Sequence, residues 1–211
     1  MSSTRAVRQY PSAIFCLGSV AVGLLVLALA GPGTLAAEHA GRVDDAQGQS
    51  TGLLEGSVRT LSRNADIFLQ ELVQTQADAR LALALGPRTR VMLGERTRLK
   101  IEKSIVEHGG TVLLERGALL FDSPDSAAGG DFVVRTPFAI VAARGTRFFV
   151  GPSKGVIGVF CERGSVTVRN RGGRVVLHPG EGTDLTSPDV PPTPPAQWGA
   201  PRIEAAIASV S

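Results

Sequence analysis

The chain has 211 residues, 43% of them hydrophobic and 19% charged, which is typical of one ordinary folded domain. Its 22 Lys and Arg residues against 19 Asp and Glu residues give a net charge of +3, too small and too dispersed to predict a nucleic-acid partner. Only two cysteines are present, at positions 16 and 161, so no disulfide framework is expected.

Residues 1–37 have the pattern of an export signal. Arg5 and Arg8 precede an uncharged apolar run of 18 residues, positions 13–30, and small residues follow up to Ala37. Because about 20 apolar residues span a bilayer, the alternative is a signal anchor that holds residues 13–30 in the inner membrane. We therefore expect an exported protein that contacts the membrane only if this segment stays uncleaved.

The next segment, residues 38–52, is polar and without periodicity, so we expect a mobile lead. Residues 53–187 consist of short apolar or alternating runs separated by glycines, which predicts many short strands joined by tight turns. Residues 65–85 could also form an amphipathic helix, but the strict alternation of residues 80–85 favours a strand. The predicted fold is all-β, a twisted solenoid-like or sandwich-like stack of short strands.

The tail, residues 188–211, combines a proline-rich stretch with a short C-terminal helix over residues 202–210. Ile203, Ala206, Ile207 and Val210 form one apolar stripe on this helix. Two interpretations stay open: Trp198 and the helix pack against the β domain, or they contact a partner protein.

The sequence contains no recognisable catalytic set. The three histidines lie outside any metal-ligand or catalytic motif, and no serine occupies a G-x-S-x-G turn. Cys161 follows an apolar run and is expected to be an unreactive core thiol. We expect no enzyme activity, no cofactor and no metal.

An ordered set of motifs over residues 55–185 resembles the FecR family. Residues 134–150 are similar to the family's V-x-T-P strand and its G-T-x-F-x-V element, and residues 113–121, 159–168 and 177–181 to flanking motifs. The signature positions, which we interpret as architecture, are Thr136, Pro137, Gly145, Thr146, Phe148, Gly164 and Gly180. The Thr146 hydroxyl is expected to bond to a neighbouring backbone group.

The resemblance implies an exported all-β domain in the periplasm. Members of the family are typically single-span regulators of Gram-negative bacteria, in which a cytoplasmic N-terminal segment holds a sigma factor and the periplasmic part receives a signal. Residues 1–11 are too few to fold around a sigma factor, so direct sigma-factor binding is not expected. We expect a stand-alone FecR-domain protein.

Two functions from different classes remain open. The first is a non-enzymatic periplasmic signalling or scaffolding module that binds another protein of the cell envelope through an exposed strand edge. The alternative is the binding of a glycan or another anionic ligand on an arginine-rich face. That face would comprise Arg90, Arg96, Arg98, Lys100 and Arg135. Arg98, Arg135 and Trp198 are the predicted partner or ligand contacts.

Overall fold

The computed structural model describes residues 37–86, 88–103, 109–123 and 132–211. The predicted signal peptide or anchor lies outside these residues, apart from its last position, and stays a prediction. Within the described residues, no helix has the length and apolar character needed to cross a membrane. The described residues form one compact unit.

The described unit is built almost entirely of strands, which confirms the all-β prediction. The strands are β1 (His39–Gln47), β2 (Ser50–Leu54), β3 (Ser57–Thr60), β4 (Asp66–Phe68), β5 (Leu72–Thr75), β6 (Arg80–Leu85), β7 (Thr89–Leu93), β8 (Arg98–Lys103), β9 (Thr111–Arg116), β10 (Leu119–Asp122), β11 (Phe132–Arg135), β12 (Ile140–Ser153), β13 (Val156–Arg169), β14 (Arg174–Leu177), β15 (Glu181–Leu185) and β16 (Ala196–Gln197). A short helix, α1 (Ala200–Ala208), follows them. The alternative of a helix over residues 65–85 is excluded, because that segment contains β4, β5 and β6.

One long hairpin, β12–β13, organises the sheet. The first half of β12 pairs with β11 and its second half pairs with β10. Two arms of strands therefore begin at the two halves of β12. The first arm runs β11-β9-β8-β5-β2-β3, and the second arm runs β10-β7-β6-β1-β4. The two arms therefore end at β3 and at β4, while β13 also pairs with β14 and β15, and β15 pairs with β16.

The two arms curl around a single apolar core. Buried side chains of both arms, such as Leu99 and Val134 in the first and Leu83 and Val91 in the second, belong to one cluster. Phe121 of the second arm stacks on Phe132 of the first, with ring centroids 4.0 Å apart. The alternating pattern of β6, in which every second residue is buried, is the local signature of this arrangement.

The hairpin bends where glycine allows it. β13 runs continuously through Gly164, from Val156 to Arg169, so this glycine does not separate two strands. Gly145 and Gly164 both have positive φ, +59° and +86°, at an irregularity in the pairing of β12 with β13. A Cβ on Gly164 would lie 2.6 Å from Cγ2 of Thr146, so these signature glycines form a bulge that redirects both strands.

The prediction of a mobile lead over residues 38–52 is also wrong. These residues contain β1 and most of β2, and β1 pairs with both β4 and β6. The segment has no amphipathic pattern, since β1 buries only small side chains, Ala40 and Val43, next to Gly41. Its order comes from pairing with strands whose residues are 24 to 42 positions away, which local sequence does not encode.

The C-terminal tail packs against the outer face of the hairpin and forms a second apolar cluster. Trp198 is 7% exposed and stacks on Phe160, with ring centroids 5.1 Å apart. The guanidinium of Arg202 lies 3.6 Å from the centroid of the Trp198 ring and pairs with Asp184 at 2.5 Å. Ala206 and Val210 complete the cluster, so the apolar stripe of the predicted helix is used within the chain.

Candidate functional site

The free edge of β3 is the most exposed apolar part of the described sheet. β3 pairs with β2 in a hairpin whose two-residue turn, Glu55-Gly56, has positive φ at both positions, as a tight hairpin requires. The side chain of Val58 is 70% exposed, more than that of any other exposed large hydrophobic residue described. Among the described residues, no strand pairs with the second edge of β3.

The backbone groups on this edge can be assigned from the ladder. The Leu61 N–H donates to the Ser50 carbonyl at 2.9 Å, which makes this a hydrogen-bonded pair. Bonded and non-bonded pairs alternate in an antiparallel ladder, so Val58 and Thr60 occupy non-bonded positions. Their N–H and C=O groups therefore point away from β2, where an added strand could bind them.

A buried ion pair holds β3 in place. Nε and Nη2 of Arg59 donate to the Glu71 carboxylate at 3.0 and 2.9 Å, and the Phe68 N–H donates to the same carboxylate at 3.0 Å. The Glu71 side chain is fully buried, whereas that of Arg59 is 34% exposed. Arg59 also donates to the Asp66 carbonyl of β4. Because β3 and β4 are the two ends of the sheet path, Arg59 joins them without backbone pairing.

Sequence reasoning missed this ion pair. Arg59 and Glu71 are 12 positions apart in segments predicted to be strands, and nothing in the spacing links them. One signal was available: Gly52 lies opposite Arg59 in the hairpin, and a Cβ there would lie only 1.9 Å from Oε1 of Glu71. A glycine within a strand often marks such a close approach.

A buried threonine network, also missed, ties three turns together. The Thr75 hydroxyl donates to the Gly94 carbonyl at 2.6 Å and accepts the Thr97 N–H at 2.9 Å. The Thr97 hydroxyl accepts the Ala118 N–H at 3.1 Å. These bonds satisfy backbone groups that would otherwise be buried without partners. The role of Thr97 in the structure is architectural.

The signature turn at Thr136 is held by its own side chain. The Thr136 hydroxyl accepts the N–H groups of Phe138 and Ala139 at 3.1 and 2.9 Å, and the Ala139 carbonyl accepts the Thr136 N–H at 2.9 Å. Pro137 occupies the position after Thr136, where a fixed φ suits a turn. The turn joins β11 to β12 and so starts the long hairpin.

We expect Thr136→Val to lower the free energy of unfolding by about 1–2 kcal/mol, because two backbone N–H groups lose their acceptor while the side-chain volume is kept. Urea denaturation followed by circular dichroism measures the change. Thr136→Ser is the matched control, since it keeps the hydroxyl, and it should remain within about 0.5 kcal/mol of the wild type. Equal losses in both variants would contradict a role for the hydroxyl.

Three other signature positions, Thr146, Phe148 and Gly180, are also surrounded by residues of the fold itself. The prediction for Thr146 is wrong, because its hydroxyl is fully buried and has no hydrogen-bond partner within the described part of the chain. Its methyl group instead packs against Gly164. Phe148 is fully buried in the core. Gly180 approaches Gln197 so closely that a Cβ would lie 2.4 Å from its Oε1.

The predicted arginine face is not assembled. Arg98 and Arg135 lie in the first arm, whereas Arg90 lies in β7 of the second. Each arginine has an acidic neighbour: Arg98 pairs with Glu115 at 3.1 Å, Arg135 with Glu102 at 3.2 Å, Arg96 with Glu95 at 3.3 Å and Arg90 with Asp44 at 3.5 Å. The contact roles of Arg98, Arg135 and Trp198 stay predictions, and the Trp198 ring is covered by its own chain.

Cys161 lies in β13 and is fully buried. Burial raises the pKa of its thiol to about 11, and the nearby Glu181 carboxylate acts in the same direction. The thiolate, which is the nucleophilic form, is therefore scarce at neutral pH.

Within the described residues, no group of three or more His, Cys, Asp or Glu side chains could hold a metal ion.

Comparisons with known proteins fit this geometry. Residues 71–167 match the FecR family, described as FecR protein. Two crystal structures of a proposed anti-sigma factor from Parabacteroides distasonis ATCC 8503, at 1.65 and 2.50 Å resolution, are similar to this chain, each with a TM-score of 0.54 and 19% identity. Both alignments cover 64% of this chain, and they cover 64% and 63% of the other chains. No curated protein sequence matches this chain.

The curled sheet, the long bent hairpin and the signature turn define an all-β domain of the FecR type. Residues 71–167 match the FecR family model, as the ordered motifs of the sequence predicted. The matched region begins at Glu71, the buried carboxylate of the ion pair with Arg59. At 19% identity, the two crystal structures establish a shared fold and nothing beyond it.

Proposed function

We propose that this chain is an exported, non-enzymatic signalling or scaffolding module of the cell envelope that binds an extended segment of another protein along β3. The FecR match supports the signalling role. The similar crystal structures, of a proposed anti-sigma factor, are in keeping with a regulatory role. The observation that carries the binding mode is the free edge at Val58, with outward-facing backbone groups beside an exposed apolar side chain.

An extended peptide gains two kinds of contact on such an edge. Its backbone pairs with the outward N–H and C=O groups of Val58 and Thr60, which supplies affinity. Its side chains then meet those on the outer face, where Val58 lies opposite Leu53. Binding of this kind needs no enclosed pocket. The ion pair between Arg59 and Glu71 keeps the edge strand positioned while its outer side stays open.

The test is a capture experiment with the full tagged chain from envelope extracts. Val58→Pro removes one outward N–H and leaves the bonds between β3 and β2 in place, so partner recovery should fall at least about tenfold. Val176→Pro is the matched control. Val176 is also an exposed valine at a non-bonded position, but on the separate edge strand β14. A thermal stability equal to that of the wild type in both variants shows that neither proline disturbs the fold.

The outcomes separate the edge from the function. Loss of the partner in Val58→Pro alone supports binding along β3, whereas loss in Val176→Pro alone would move the contact to β14. Unchanged capture in both variants would overturn binding through a strand edge. The mass of the captured chain tests export, since a cleaved signal leaves a chain that begins near residue 38.

A further inference from the structure

A row of charged side chains crosses the outer face of the second arm. Seven residues in register occupy it, one from each of β4, β1, β6, β7, β10, β12 and β13: Asp66, Arg42, Ala84, Arg90, Asp122, Arg147 and Arg163. Asp122 accepts hydrogen bonds from Arg147 and Arg163, each at 2.8 Å. The row contains one uncharged position, Ala84, and both of its neighbours are arginines.

A cleft lies at the position of Ala84. Ala84 forms its floor, because its methyl group is much shorter than the side chains of Arg42 and Arg90 on the adjoining strands. The cavity has a volume of about 410 Å³ and is also lined by Arg88 from the β6–β7 turn and by His39. That volume lies within the range of small-molecule sites. We call these residues, together with Asp44, the arginine cleft.

A β-bulge places the only carboxylate of the cleft lining. The pairing of β1 with β6 shifts between Val43 and Asp45, so Asp44 is the extra residue of the bulge. Its side chain is 24% exposed and lies 3.6 Å from Nε of Arg42 and 3.5 Å from Nε of Arg90. Bulges commonly redirect a side chain in this way, and they are frequent next to functional sites.

The charges of the cleft are unbalanced. Two arginines, Arg42 and Arg90, face one carboxylate, that of Asp44. Within the described residues, the side chains of Arg42 and Arg90 make no hydrogen bond, and their ion pairs with Asp44 are longer than hydrogen bonds. Both side chains are open to solvent, with 65% and 72% of their surface exposed. Asp44 therefore orients the two guanidinium groups on their Nε side and leaves donors for another acceptor.

We propose that the arginine cleft binds the phosphate or carboxylate group of a small solute or of an anionic glycan. Guanidinium groups donate two parallel hydrogen bonds to planar oxyanions, and two arginines about two strand spacings apart, roughly 9–10 Å, can contact one such group from opposite sides. Ala84 leaves the space that the anion fills. This site lies on the second arm and is independent of the β3 edge.

The test is an NMR titration of the full ¹⁵N-labelled chain with inorganic phosphate, glucuronate and neutral glucose. Phosphate or glucuronate should shift the backbone amides of Arg42, Ala84 and Arg90 saturably, and about 1 M NaCl should suppress the shifts. Binding of phosphate alone would assign a phosphate-bearing ligand, and binding of glucuronate alone would assign a carboxylate sugar. Both results support the proposal.

Two variants give the proposal its sharpest test. Ala84→Glu places a carboxylate between the arginines and should weaken binding at least about tenfold, because the ligand then meets a like charge. Arg42→Gln removes one donor and should weaken binding about threefold or more, even if Ala84→Glu fails to fold. Arg169→Gln, at an exposed arginine of β13 outside the cleft, is the control and should bind as the wild type does.

Three results would overturn the inference. The first is the absence of saturable shifts with both phosphate and glucuronate. The second is equal binding of glucose, which would show that the negative charge is not recognised. The third is wild-type affinity in a folded Ala84→Glu or Arg42→Gln variant, or an equal loss in Arg169→Gln, since either would place the anions elsewhere on the surface.

Discussion

Arg59→Met is expected to lower the free energy of unfolding by about 3 kcal/mol, at the lower end of the range for breaking a buried ion pair. The loss arises because the fully buried Glu71 carboxylate loses both guanidinium donors and is left without its ion-pair partner. The Arg59 side chain is 34% exposed, so water replaces part of the interaction and the upper end of the range is not expected. Chemical denaturation at neutral pH measures the change.

The matched control also removes the Glu71 carboxylate, which Arg59→Met alone leaves without its ion-pair partner. In Arg59→Met combined with Glu71→Gln, the neutral amide oxygen still accepts the Phe68 N–H, so about two thirds of the lost stability should return. A cost of less than about 1 kcal/mol for Arg59→Met alone would contradict the role assigned to the pair. Recovery of nothing in the double variant would indicate that Arg59 acts mainly through its contact with Asp66 of β4.

Trp198→Ala is expected to lower the free energy of unfolding by about 3–4 kcal/mol, because it empties the centre of the second apolar cluster. The ring stacks on Phe160 and is covered by the Arg202 guanidinium, so both contacts are lost. Helix α1 should then detach from the hairpin. Denaturation followed by far-ultraviolet circular dichroism measures the loss, since Trp198 is the single tryptophan of the chain.

Limited trypsin digestion provides a second measurement. Arg202 bonds to Asp184 and Ser153, at 2.5 and 2.9 Å, so the wild type should resist cleavage after this residue. The Trp198→Ala variant should release the C-terminal peptide rapidly. Trp198→Phe retains an aromatic ring against Phe160 and should remain protected. If Trp198→Ala keeps wild-type stability and protection, the tail does not contribute to the fold and Trp198 is free to serve as a partner contact.

Most strands could be predicted from the sequence because their burial follows a period of two. In β6, Leu81, Leu83 and Leu85 are buried while the residues between them are half-buried. The alternation of leucine with other residues over positions 80–85 shows this directly in the sequence. The ordered motifs also predicted the match of residues 71–167 to the FecR family. β1 could not be found in this way, since its buried positions are small residues and its stability comes from pairing with distant strands.

The candidate sites could be predicted from the sequence less well than the strands. The sequence placed Arg90 on an arginine-rich face together with Arg98 and Arg135, which lie on the other arm. Arg42, its actual neighbour across Ala84, was assigned to a mobile lead. Strand order decided this outcome: residues 42 and 90 meet only because β6 lies between β1 and β7.

The sequence by itself determined the all-β class, the match of residues 71–167 to the FecR family and the glycine and threonine positions of the signature, because these depend on local patterns of burial and turn chemistry. Tertiary structure alone decided that Arg59 joins the ends of the two arms, that Asp44 turns toward two arginines and that Trp198 is covered. Each of these contacts joins residues whose proximity depends on strand order, register or a bulge. Such proximity results from the packing of the whole sheet and leaves no periodic signal along the chain.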